Sequence, residues 1–110
     1  MDVRCVDFLV NGVFISSDNS SATVMVNHDE QTKFASEVAR SVSGSCKEAD
    51  LVMGGEDFAY LLEERPGAYI LVGNGDTAMV HHPMYNFDDS AIPAGCSWWS
   101  EIIEQRMPSV

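Results

Sequence analysis

Two adjacent histidines, His81 and His82, followed by Pro83, are the residues best suited to chemistry in this chain. Neutral imidazole is a metal ligand and a proton carrier near neutral pH. Pro83 biases the chain before it towards extended conformation, where neighbouring side chains point to opposite sides. At most one of the two rings then faces a given site. A zinc centre needs three or four protein ligands, and nothing close in sequence completes one. Asp88 and Asp89 have the right chemical type, but capping of the helix that follows explains them more simply.

A second group is Gly54-Gly55-Glu56-Asp57. Glycines leading into a helix leave backbone N–H groups open to an anion such as a substrate carboxylate. Gly54 and Gly55 are therefore candidate substrate contacts. The plain alternative is a tight turn with acids placed for the helix dipole. Glu56 and Asp57 repel an anion unless they point away or hold a cation. His28, beside Asp29 and Glu30, reads as a solvated first-turn residue. Tyr60, Tyr69 and Tyr85 read as packing residues with polar tips. No phosphate loop, nucleophile elbow or dinucleotide fingerprint is present.

The elements around these residues follow from hydrophobic pattern. Val3 to Ile15 reads as strand, with a hairpin turn at Asn11-Gly12. Residues 16–21 (SSDNSS) form a polar turn, and Ala22 to Val26 is β-like. Asn27 suits an N-cap for a helix over about 28–43, whose apolar stripe is Phe34, Val38 and Val42 with Ala35 and Ala39. Asp50 to Met53 is a short strand. Gly54-Gly55 opens a second helix with Phe58, Leu61 and Leu62 on its apolar face, stopped by Pro66-Gly67. Ala68 to Val72 suits a strand buried on both faces, as in a parallel sheet. Gly73 to Thr77 is a turn. Asp88, Asp89 and Ser90 cap the last helix, with Pro93 in its first turn, and Trp99, Ile102, Ile103 and Met107 face the core beside Cys96. The order strand–helix–strand–helix is α/β.

Composition limits the rest. One domain fits in 110 residues, and 45% apolar content can build a core. Net charge is −11, with six scattered basic residues, which excludes a phosphate-binding face and hence nucleic acid as partner. No apolar run reaches the ~20 residues of a membrane span, and Asp2 and Asp7 stand where a signal peptide needs positive charge. A cytoplasmic setting without membrane contact is expected. Cys5, Cys46 and Cys96 are odd in number and lack C-x-x-C spacing, so they read as reduced thiols.

Several motifs occur in a definite order: Met53-Gly54-Gly55-Glu56-Asp57-Phe58, Pro66-Gly67-Ala68, Leu71-Val72-Gly73, Val80-His81-His82-Pro83, Phe87-Asp88-Asp89 and Ile92-Pro93-Ala94-Gly95. Together with Val26-Asn27-His28-Asp29-Glu30 they resemble the C-terminal end of the hippurate hydrolase and N-acyl-amino-acid amidohydrolase family, relatives of aminoacylases and zinc carboxypeptidases. The resemblance covers about residues 22–110; residues 1–21 are of uncertain origin and do not match the family's lid domain. It implies an α/β zinc-peptidase-like catalytic domain, here partial, with a sheet flanked by helices. It implies a dinuclear zinc or manganese centre, with His81 rather than His82 as metal ligand, and Gly54-Gly55 beside the substrate pocket. The implied reaction is hydrolysis of a small N-acyl amino acid by metal-activated water with a glutamate base.

The family's other ligands lie in motifs absent from this chain: a Cys/His-rich metal loop, a paired-glutamate segment and a further histidine. Glu63-Glu64 is not that pair and belongs on the outer side of a helix. No catalytic residue is assigned here. The chain by itself is expected to be inactive and to expose apolar surface that self-associates or finds a protein partner. The competing reading is a non-enzymatic acidic protein-interaction domain.

Overall fold

A computed structural model describes residues 8–10, 14–15, 24–50, 52–53 and 56–109. Their elements are β1 (Phe8–Val10), β2 (Phe14–Ile15), α1 (Asp29–Ser43), β3 (Lys47–Glu48), β4 (Val52–Met53), α2 (Phe58–Glu64), β5 (Leu71–Val72) and α3 (Ile92–Arg106), the last entered through a 3-10 turn at Asp89–Ala91.

The short strands form two small sheets. In one, β1 lies between β3 and β5, parallel to β3 (Leu9 opposite Lys47) and antiparallel to β5 (Phe8 opposite Val72). In the other, β2 runs parallel to β4, with Phe14 opposite Val52. The expected hairpin therefore does not form: β1 and β2 belong to different sheets, and Asn11-Gly12 itself lies outside the described residues. Parallel neighbours need a crossover, which α1 supplies for both parallel pairs. The organisation is α/β in this coarse sense, with two sheets in place of the expected one. The Ala68–Val72 run is also corrected. Only Leu71–Val72 is strand, antiparallel and at a sheet edge, and its side chains are half-buried and exposed.

The α1 stripe falls as its spacing predicts. Ala35, Val38 and Ala39 are buried, with Phe34 and Val42 packed at the margin. Gly44 ends the helix at φ 87°, a left-handed position that suits glycine, and donates its N–H to the Arg40 carbonyl at 2.8 Å. The N-cap is His28, one residue beyond the expected Asn27. Asp29 and Glu30 do occupy the first turn.

The main core joins α1, α3 and β1 through Phe8, Ala35, Val38, Ala39, Ala94 and Trp98. Alanines on both helices let the backbones approach closely. The Trp98 ring fills the space between, stacking at a tilt on Phe8 with centroids 6.5 Å apart and donating Nε1–H to the Ala35 carbonyl at 3.1 Å. Arg106 adds a cation over the Phe34 ring, 4.1 Å from its centroid. A smaller cluster of Met25, Ala59 and Leu62, with Phe58 and Tyr69, sits under α2.

The expected inward face of α3 is largely wrong. Ile102 packs against the core, but Trp99, Ile103, Met107 and Cys96 are exposed and Trp98 takes the inner position. A one-residue step turns a helix by roughly 100°, and α3 carries apolar residues on both sides of that step. Trp98 wins because its indole N–H finds a backbone acceptor. α2 begins at Phe58 rather than at the glycines, and Leu61, expected inward, is exposed. Glu63 and Glu64 are exposed, as expected.

Candidate functional site

His81 lies in a turn, where extended chain was expected. His82 N–H bonds the Met79 carbonyl at 3.1 Å, and Tyr85 N–H bonds the His82 carbonyl at 2.9 Å. Pro83 restrains its immediate predecessor, His82; the reversal falls one residue earlier. His81 has φ 68°, the only non-glycine in the left-handed region among the described residues. Histidine enters this region more readily than most residues, yet it still costs roughly 1–2 kcal/mol. Such strain at an exposed residue is a pointer to function.

The two rings have different employment. His82 Nδ1 accepts the Met84 N–H at 3.0 Å, so His82 closes the turn. The His81 ring is exposed and takes part in no hydrogen bond among the described residues. The two exposed rings thus differ in that His82 bonds within the turn and His81 does not.

The base of the loop is latched by residues that sequence reasoning had passed over. Asn74 Nδ2 donates to the Asn86 carbonyl at 2.8 Å while its Oδ1 accepts the Asp88 N–H at 2.7 Å. Thr77 Oγ1 accepts the Asn86 N–H at 2.9 Å. Residues 74–88 therefore form a closed loop with His81 near its tip, of the Ω type. The only sequence signal was an asparagine in a glycine-rich turn. Asp88 closes the same end, its Oδ1 accepting the Ser90 N–H at 2.9 Å. That bond holds its carboxyl below the usual carboxylate range. Asp88 is a helix-entry cap, as its position suggested.

Gly54 and Gly55 lie outside the described residues. Glu56 beside them is anchored: Oε1 accepts the Phe58 N–H at 3.2 Å and Oε2 accepts the Tyr69 hydroxyl at 3.3 Å. Burial first, and the Glu56 charge second, raise the Tyr69 pKa above its ordinary value. Glu56 thus belongs to a structural bond at the start of α2.

His28 is half-buried and bonded, against the solvated position expected. Its backbone N–H donates to the Gly67 carbonyl at 3.0 Å, and its Nδ1 accepts the Gly67 N–H at 3.1 Å. Asn27 pairs with the Tyr69 backbone in both directions, at 2.9 and 2.7 Å. Two of the ordered motifs, 26–30 and 66–68, are thereby stitched together.

Among the described residues no three His, Cys, Asp or Glu side chains gather closely enough to hold a metal ion. His81 is one donor, and one imidazole does not make a metal centre. The described residues therefore do not fit a mononuclear or dinuclear site on their own. No helix among the described residues is long and apolar enough to cross a membrane.

Comparison with known proteins bears on what the loop belongs to. The sequence pattern of Peptidase family M20/M25/M40 matches residues 8–105. Hippurate hydrolase of Campylobacter jejuni is 31% identical over 88 residues, covering 76% of this chain and 23% of that enzyme. N-acetylcysteine deacetylase of Bacillus subtilis is 32% identical over 68 residues, covering 62% of this chain and 18% of the relative. N-acetyldiaminopimelate deacetylase of Exiguobacterium sibiricum is 45% identical over 47 residues, covering 42% of this chain and 13% of the relative. The chain thus spans less than a quarter of each of these relatives. No solved structure matches it significantly.

Proposed function

Since this chain belongs to Peptidase family M20/M25/M40, we propose that residues 22–110 are the C-terminal portion of a catalytic domain of zinc-peptidase-like fold that hydrolyses small N-acyl amino acids. The family is one of hydrolases and is generally metal-dependent. The substrate class rests on relatives named for hippurate and N-acetylcysteine. The chemistry is cleavage of an amide between an acyl group and an amino acid.

The observation that carries the reading is the state of His81: left-handed backbone, exposed ring, and a loop latched at its base by Asn74. In this reading His81 is one ligand of a zinc or manganese centre, and His82 keeps the turn in shape. Gly54 and Gly55 contact the substrate. The remaining ligands and the general base come from polypeptide outside the described residues, so we derive no catalytic step from this chain alone.

The test is hydrolysis of N-benzoylglycine and N-acetylcysteine by the purified chain, with zinc or manganese added, beside His81→Ala. The expected result is no turnover above the metal blank in either protein. Turnover by the wild type that disappears in His81→Ala would show that a working centre assembles from these residues and would overturn the incomplete-site reading.

A further inference from the structure

One face of α1 is polar. Asp29, Lys33, Ser36 and Arg40 recur three or four residues apart, with Thr32 beside Lys33. Together with Cys46 and with Glu48 of β3 they line a cleft of about 310 Å³. This cleft shares no residue with the His81 loop or with Gly54-Gly55. Two acids and two bases therefore surround it, and none of the four is in an ion pair among the described residues. The floor is unfinished as well. α1 buries three hydroxyl side chains. Ser36 and Ser43 each donate to the carbonyl four residues back, at 2.7 and 3.0 Å. Thr32, only 7% exposed, lines the cleft, and its Oγ1 has no hydrogen-bond partner. A buried hydroxyl left without a partner is uncommon in a folded protein and calls for a reason.

We propose that this cleft binds a free α-amino acid with a polar side chain. Its carboxylate pairs with Lys33 and Arg40 and accepts the Thr32 hydroxyl, while its ammonium pairs with Asp29 and Glu48. The mixed charge selects this class. An anion such as phosphate meets repulsion from the two carboxylates, and a polyamine meets it from the two bases. A zwitterion satisfies both pairs and gives Thr32 Oγ1 an acceptor. The volume leaves room beyond the amino acid backbone, and Ser36 adds a polar wall for a polar side chain. In the reaction proposed above such an amino acid is the product, because hydrolysis frees the ammonium that the acyl group hides in the substrate. The cleft therefore takes product and passes over substrate. That identification rests on the proposed reaction; the charge pattern stands without it.

The test is titration of the full chain, without metal, by L-glutamine and by L-serine, read by amide NMR. Shifts at Thr32, Ser36 and Cys46 should saturate at millimolar ligand, since exposed charges each contribute little. N-acetyl-L-glutamine lacks the ammonium and L-glutamine α-amide lacks the carboxylate. Each should bind about tenfold more weakly, the size of one lost charge-assisted hydrogen bond. The Cys46 thiol sits against Ser36 and in the field of Arg40, so bound L-glutamine should slow its labelling by iodoacetamide and leave Cys96 unaffected. Thr32→Val keeps the side-chain shape and removes the hydroxyl. It should melt no lower than wild type, yet bind L-glutamine about tenfold more weakly. Arg40→Gln, at an exposed position, should keep the circular dichroism of the wild type and weaken binding to a similar degree. Absence of saturable shifts with both amino acids, equal binding of the N-acetyl form, or undiminished binding by either variant would overturn the proposal. No turnover is measured, so a failed amidohydrolase reading would leave a positive binding result standing.

Discussion

Replacing His81 by glycine should stabilise the protein while removing its candidate ligand. The His81 side chain is exposed and its ring makes no hydrogen bond among the described residues, so truncation sacrifices no packing. Its backbone sits at φ 68°, where a Cβ costs roughly 1–2 kcal/mol. Glycine removes that cost but gives back about 0.4–1 kcal/mol through greater freedom of the unfolded chain. The midpoints of the two ranges favour His81→Gly over His81→Ala by about 0.8 kcal/mol, since alanine keeps the strained Cβ. For a domain near this size, that difference corresponds to roughly 3–6 °C in melting temperature. Thermal unfolding of wild type, His81→Ala and His81→Gly by circular dichroism makes the comparison. Equal melting of the two variants, or a lower value for glycine, would refute the claim that the turn holds His81 in a strained conformation.

Three substitutions and one labelling reaction probe the surroundings. Trp98→Ala should cost about 3–5 kcal/mol in urea unfolding because it empties the core between α1 and α3. Trp99→Ala should cost about 1 kcal/mol through its edge contact with Trp98 at 4.9 Å; equal costs would contradict the assignment of inner and outer faces. Iodoacetamide should label Cys96 faster than Cys46, followed by peptide mass spectrometry: Cys96 is exposed, whereas burial raises the Cys46 pKa and leaves less thiolate. Asp88→Ala should lower the melting temperature more at neutral pH than in acid. The Asp88 carboxyl is depressed in the folded state by Ser90, so its stabilisation is present above the unfolded pKa and fades as pH falls through the folded one. A difference from wild type that does not change with pH would argue against the ionised cap.

What the sequence disclosed depended on whether one physical signal dominated. α1 was legible because its apolar residues lie on one stripe and Gly44 ends it. α3 was legible as a helix but not in orientation, because both Trp98 and Trp99 continue an apolar row and only a distant carbonyl, that of Ala35, decides between them. The Asn11-Gly12 signal suggested a hairpin, but β1 and β2 pair through the α1 crossover with strands that come much later. At the site, residue type and motif order singled out His81. Its left-handed turn is hidden in the sequence because Pro83 restrains only His82 and leaves His81 free to reverse the chain. The latches left no periodic trace: Asn74 reaches Asn86 and Asp88, and Asn27 reaches Tyr69, 42 residues away.

We propose that His81, and not His82, is the ligand this chain contributes to an N-acyl amino acid hydrolase. The most direct measurement transplants residues 79–85 into the aligned position of the Campylobacter hippurate hydrolase and assays hippurate turnover and bound metal together. The graft should keep both, His81→Ala in the graft should lose both, and His82→Ala should keep metal with at most a modest loss of stability. Retention of metal and turnover in His81→Ala, or their loss in His82→Ala alone, would contradict it.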